Sequence, residues 1–189
     1  MEIWILIAIH QFIFQGMFAT KNILLSRKIK QPIRGHNAEA NVSIVFFTLF
    51  IVIALLMSYF KQPYGNINLI NPQLSLIIGL HLMTISLLVS AASLMDLKDS
   101  WRVGILKEQK IDLISTGIYQ YTRNPYFLSY ILMFAAYTVM LQSIILLTLS
   151  LVGFLFIHRM IKKEEAYLTE LHGESYLNYK KTVPRYWII

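Results

Sequence analysis

Residues 112–129 read DLISTGIYQYTRNPYFLS. Gly117, Tyr119, Tyr121, Arg123, Asn124 and Pro125 fall within nine positions of this stretch, immediately before an apolar run. Glycine, aromatics, a guanidinium and an amide at the mouth of an apolar helix suit a ligand wall more than a plain connector. The rest of the chain reads as membrane helices that hold this wall, with a polar tail able to close over it.

The chain has 189 residues, enough for about one domain. Hydrophobic residues make up 56% and the mean hydropathy is +0.55, above the usual share for a soluble domain. These residues are blocked into runs long enough to cross a hydrocarbon core of about 30 Å. The expectation is an all-α polytopic membrane protein: one integral membrane domain over 1–189, about five transmembrane helices, a short C-terminal helical hairpin and a helical tail. Residues 1–95 read as a three-helix scaffold and 96–189 as the cofactor-binding half.

The first span covers about 3–25 and carries His10, Gln11, Gln15 and Gly16, a face suited to packing on other helices. It lacks a basic leader, so a membrane helix is the better reading than a cleaved signal. A basic loop with His36 follows. The second span, 42–60, is uniformly apolar. The third covers about 73–95, with Gly79 and His81 inside. The fourth, 126–141, is about 16 residues and marginal in length. The fifth, 143–158, follows at once, so the two make a tight hairpin, with a re-entrant pair as the alternative. Tail residues 159–173 read as helical, with Gly173 as the stop and a second short helix over 174–181 before Pro184.

Basic residues fix the expected orientation. Lys21, Arg27, Lys28, Lys30 and Arg34 lie in or beside the first loop. Lys98, Arg102, Lys107, Lys110 and Arg123 lie in the third, and six more in the tail. The second loop has only Lys61, beside Pro63, and the fourth has none. This places the N-terminus outside and the C-terminus in the cytoplasm, with residues 112–129 and the tail on one side. The formal charge of +7 therefore reports cytoplasmic loops more readily than a nucleic-acid surface.

The chain has no cysteine, which removes disulfides, thiolate nucleophiles and cysteine zinc sites. His10, His36, His81, His158 and His172 show no metal-ligand spacing, so no metal is expected. No nucleophile elbow, HExxH or phosphate loop is present. What remains on the cytoplasmic face is Arg102, Arg123, Asn124, Glu164, Glu165 and several tyrosines. Carboxylates accept from ribose hydroxyls or pair with ammonium, and aromatic faces attract sulfonium or ammonium.

Three elements resemble the isoprenylcysteine carboxyl methyltransferase and phospholipid methyltransferase superfamily. SWRVGI at 100–105 resembles its Ser-Trp-Arg-(Ile/Val)-Gly element. LISTGIYQYTRNP at 113–125 resembles its Gly-x-Tyr…Arg-(His/Asn)-Pro element. EEAYLTELHGESYLNYKKTVPRY at 164–186 resembles its Glu-Glu tail. Order and spacing agree over about 90 residues of the C-terminal half, and the first helices carry no motif. The resemblance implies S-adenosylmethionine as methyl donor, held by Leu113, Gly117, Tyr119, Arg123, Asn124, Pro125, Glu164, Glu165, Tyr176 and Tyr179. It implies a membrane lipid or lipophilic small molecule as acceptor (a carboxylate, amine or thiol) and a bacterial cytoplasmic membrane as location. Arg102 and Arg123 are the candidate catalytic residues, able to hold an acceptor carboxylate or phosphate.

The departures matter. Asn124 replaces the commoner histidine and cannot titrate near neutrality, so no general base is expected there. Phe127 lacks the usual tyrosine hydroxyl, Ser129 replaces a glycine, and His172 stands where phenylalanine is usual. Plainer roles stand beside these: Asn124-Pro125 as a helix start, Glu164 and Glu165 as a solvated face, and His10 and His81 as neutral histidines bonded to neighbouring helices. Trp101, Tyr186 and Trp187 fit an interfacial aromatic belt. Two other functions remain open: a reductase-type relation using NADPH, and a non-enzymatic lipid-binding or assembly protein.

Overall fold

The computed structural model describes residues 2–35, 38–61, 64–106, 109 and 111–186, with only the backbone of 38–40. His36, Pro63, Lys107, Lys110 and Trp187 lie outside the described residues. Among the described residues, six α-helices account for the fold: α1 (Ile3–Ile29), α2 (Ala38–Tyr59), α3 (Pro72–Asp96), α4 (Pro125–Leu141), α5 (Ile144–His172) and α6 (Glu174–Thr182). Short 3₁₀ turns stand at Lys98–Ser100 and Gly117–Gln120. The protein is an all-α polytopic membrane protein, as its hydropathy predicts.

Four helices (α1, α2, α3 and α5) are long and apolar enough to cross a bilayer. At 17 residues α4 is shorter. It nevertheless packs against α3 along its own length. Towards the start of α4, Ser86 Oγ donates to the Ser129 carbonyl at 2.8 Å; near its end, Ser75 Oγ donates to the Val139 carbonyl at 2.5 Å. The hairpin turn at Gln142, in the left-handed region, is held by the 64–70 connector. Ile70 N donates to Gln142 Oε1, Gln142 Nε2 donates back to the Ile70 carbonyl, and Ser143 Oγ donates to the Tyr64 carbonyl. The hairpin thus traverses the bundle and does not turn back midway.

The α3–α4 seam is built from small residues. Ser75, Gly79, Ser86, Ser90 and Ser93 are buried along one face of α3. A Cβ added at Gly79 would lie 1.9 Å from Met140 Cγ, so the backbones approach as closely as glycine permits. Aromatic and aliphatic side chains fill the remaining core, among them Phe50, Phe134, Tyr137 and Ile157.

Two expectations change. The fifth helix does not end near His158; it continues through the tail without a break to His172, so span and tail are one rod. Its apolar part, residues 144–161, is about 27 Å long, and the segment from Lys162 onward projects beyond the hydrocarbon core. His81 is exposed and bonded to the Ile77 carbonyl of its own helix at 2.7 Å, not to a neighbour. His10 does bond across helices, to Tyr137 Oη at 2.7 Å.

Candidate functional site

Loop 30–35, the described residues between α3 and α4, and the tail from 173 to 186 with α6 gather at one end of the bundle. Loop 30–35 pairs with the third loop through a parallel bridge between Arg34 and Val103. The Trp101 indole donates to Asn22 of α1 at 2.7 Å. Trp101 is buried against Phe18 and Tyr126, so it is a core pin and not part of an aromatic belt. Tyr186 bonds His158 at 2.9 Å.

Gly117 has φ +62°, and a Cβ there would sit 2.0 Å from Asp96 Oδ2. The same carboxylate accepts from Ile118 N at 2.7 Å. This glycine therefore lets the turn close on the end of α3. It is not a point of backbone approach to the cavity. One turn on, Tyr119 is buried, and its carbonyl accepts from Tyr179 Oη at 2.5 Å. Burial raises the Tyr119 pKa and keeps the hydroxyl neutral.

Pro125 opens α4 at its first turn, as expected. Asn124 occupies the capping position but makes no side-chain cap. Its amide donates instead to Glu165 Oε1 and to the Arg185 carbonyl, both at 3.2 Å. The plain helix-start reading accounts for the proline and not for the asparagine.

Glu165 is 3% exposed and lies at the centre of a clasp. Arg123 donates to its Oε1 from Nε at 3.1 Å and Nη2 at 3.0 Å; Arg185 donates to its Oε2 from Nη2 at 2.8 Å. Arg123 also donates through Nη1 to the carbonyls of Lys180 and Val183. Four of the five guanidinium N–H groups of Arg123 are thereby spent on tying the tail to the 122–124 segment. Burial pushes the Glu165 pKa up, but the hydrogen bonds from Arg185 and the charge and hydrogen bonds of Arg123 outweigh it, and the net direction is down. Glu165 is an ionised structural carboxylate.

Glu164, one residue earlier, has the opposite setting. By surface area its side chain is exposed, yet it lines a cavity of about 280 Å³ whose packed walls crowd the carboxyl. It stands beyond the apolar part of α5. Burial first, and the neighbouring Glu165 charge second, push its pKa up to about 7. Around it the cavity wall takes in Leu113, Tyr119, Asn124, Tyr176 and Tyr179. Arg102 and Arg123 also reach the lining. Arg102 is fixed through Nε to Gln109 at 2.5 Å and through Nη1 to the carbonyls of Asp99 and Trp101, both at 2.7 Å. Of the eleven residues expected at the site, Gly117, Pro125 and Glu165 do not line the cavity; they shape and brace its wall.

Sequence reasoning missed the other end of this cavity. Phe18 of α1, Ile44 and Phe47 of α2, Tyr126 and Tyr130 of α4 and Met160 of α5 form an apolar, largely aromatic throat. Scattered residues in uniformly apolar helices give no local signal, and only the packing brings them together. The first two helices therefore contribute to the cavity wall itself.

A cavity with a carboxylate–tyrosine wall thus lies at one end of a bundle of apolar helices, with an aromatic throat leading between them, and the whole is an integral membrane protein. Residues 74–175, more than half the chain, match the sequence model of the phospholipid methyltransferase family, and the chain belongs to that family of membrane methyltransferases. It is 34% identical over 97 residues to a protein-S-isoprenylcysteine O-methyltransferase of Dictyostelium discoideum, covering 47% of this chain and 39% of that protein. It is 40% identical over 74 residues to the protein of the same name in Schizosaccharomyces pombe, covering 38% and 31%. The matched region thus spans under two-fifths of the length of either relative.

Proposed function

We propose that this chain is an S-adenosylmethionine-dependent methyltransferase acting on a membrane-embedded or lipophilic acceptor. The observation that carries this reading is the single cavity that has Glu164 and three tyrosines at one end and an aromatic throat at the other. The donor set suits such a cofactor. A carboxylate accepts from ribose hydroxyls or pairs with an ammonium, and tyrosine faces attract a cation. When bound, the donor supplies a methyl group on a positively charged sulfonium.

The protein's own contribution is orientation and exclusion of water. Glu164 binds; Glu165, Arg123 and Asn124 hold the wall in place. Asn124 moves no proton, in keeping with an acceptor that reacts as an anion and needs no base. Arg102 is the guanidinium at the cavity wall, where its Nη2 can meet the acceptor group only once that group has entered the cavity. Residues 96–189 supply most of the donor wall, and 1–95 supply scaffold and throat. We place the site on the cytoplasmic side: among the described residues, 14 of the 15 lysines and arginines lie at the end that carries it, Lys61 alone at the other.

Calorimetric titration of the purified full chain with S-adenosylhomocysteine tests the donor. Saturable binding that Glu164→Gln weakens supports the assignment, and heats indistinguishable from dilution refute it. Labelled methyl transfer into a membrane lipid extract then identifies the acceptor.

A further inference from the structure

A second cavity, about 780 Å³, opens between α1 and α2. Its lining on α1 runs from Gln11 to Arg27, about 24 Å along the helix. It shares Phe18, Ile44, Phe47, Val103 and Tyr130 with the cavity beside Glu164, so the two meet at the aromatic throat. The first cavity is at the lower end of the size range for small-molecule sites, so a donor leaves little room in it for an acceptor's chain. The groove supplies that room.

Apart from exposed Ser26 near the mouth, the uncharged polar side chains along the groove have internal partners. Gln11 donates to Tyr137 and Met133, Gln15 donates to Gln11, Asn22 accepts from Trp101, and Thr48 donates to the Ile44 carbonyl of its own helix. The path therefore offers an apolar surface. Its mouth differs. Arg27 and Arg34 are exposed there and have no acidic partner among the described residues. The adjacent Lys28, by contrast, is paired with Asp99 at 2.6 Å. Arg34 donates to Asn41 at 2.7 Å, which links the loop to the start of α2, and its backbone pairs with Val103 of the throat. An acidic head held at this mouth is thus next to the first cavity, with its chain in the groove.

We propose that Arg27 and Arg34 hold the acidic head of a single-chain amphiphile lying between α1 and α2, and so select the acceptor by charge. This deepens the methyltransferase reading and rests on it for the word acceptor. The binding site itself does not depend on it.

The test is equilibrium binding of tritiated oleate and of tritiated oleyl alcohol to the purified full chain in detergent at pH 8. These probes share a chain and differ in head charge. The wild type is expected to prefer oleate at least about tenfold, the scale of a charge-assisted contact. R27A/R34A abolishes the preference, and R27K/R34K retains part of it. Thr48→Trp and Val52→Trp, at exposed positions lining the groove, each weaken both probes. Equal affinities in the wild type, a preference that survives R27A/R34A, or undiminished binding in both tryptophan variants overturns the proposal. S-adenosylhomocysteine titrations in parallel separate the two readings. Oleate selectivity without donor binding keeps the seat and removes the methyltransferase reading; donor binding without oleate selectivity does the reverse.

Discussion

Helices α3 and α4 meet along the length of α4 through serines and glycine, whereas α1 and α2 part around a groove of about 780 Å³. Both pairs are apolar helices of one bundle, and composition alone does not tell them apart. The difference lies in side-chain size at the facing positions. Small residues let backbones approach and bury their hydroxyls in interhelical bonds, such as Ser86 Oγ to the Ser129 carbonyl at 2.8 Å. Bulky residues on α1 and α2 leave space that a chain-like ligand can occupy. The closed half fixes the wall that carries Tyr119 and Asn124, and the groove of the open half meets that cavity at Phe18, Phe47 and Tyr130. The two neighbouring glutamates repeat the contrast, Glu165 locked in the clasp and Glu164 facing the cavity.

The closed half is broken most severely at Glu165. Glu165→Ala leaves Arg123 buried without its partner, and removing one member of a buried pair costs roughly 3–5 kcal/mol. The thermal midpoint in detergent should fall more for this variant than for any other named here, and the tail should become sensitive to protease near Val183. A midpoint within the error of wild type would mean that the clasp does not hold the tail. Gly117→Ala comes next. It places a side chain at φ +62° and drives its Cβ into Asp96, for about 2 kcal/mol or more. Gly16→Ala is the matched control, because a Cβ there meets nothing within 4 Å; its midpoint should not drop.

These positions also show what was legible in the residues. Span order, the glycine–tyrosine–arginine wall, the Glu-Glu tail and the association of wall with tail follow from hydropathy and motif spacing. Motif spacing left Glu164 and Glu165 equivalent, because adjacent helical residues point about 100° apart and only the packed partners show which direction is inward. Arg123 read as an anchor for an acceptor because a guanidinium near an aromatic wall suits that role. Its commitment to Glu165 and to two tail carbonyls depends on where residues 180–185 fold back. The throat and the groove were hidden for another reason: Phe18, Phe47 and Tyr130 are ordinary membrane-helix residues until three helices bring them together.

The open half is probed at Glu164, with smaller effects on stability and larger ones on binding. Glu164→Gln removes a charge that faces the cavity and no described clasp contact. Its thermal midpoint should stay near wild type, while affinity for S-adenosylhomocysteine falls roughly tenfold to a hundredfold, the scale of a charge-assisted hydrogen bond. If Glu165→Gln removes binding at unchanged stability and Glu164→Gln leaves it intact, the two roles are exchanged.

The smallest effect is a pH dependence that only Glu164 should confer. Its carboxyl pKa is pushed up to about 7, so its charged fraction rises from about one tenth at pH 6 to about nine tenths at pH 8. A donor carrying an ammonium or sulfonium favours the ionised form, so affinity should strengthen with rising pH, by up to about tenfold over that interval. Glu165 stays ionised throughout, because its pKa is held below the ordinary carboxylate value, and the buried Tyr119, Tyr176 and Tyr179 hydroxyls stay neutral because theirs are raised. Asp112 and Lys163 also line the cavity, and Glu164→Gln leaves both in place. A titration of binding against pH that slopes in the wild type and is flat in Glu164→Gln assigns the slope to this carboxyl. A slope that persists in the variant assigns it elsewhere on the wall and removes Glu164 as the residue that pairs with the donor's charge.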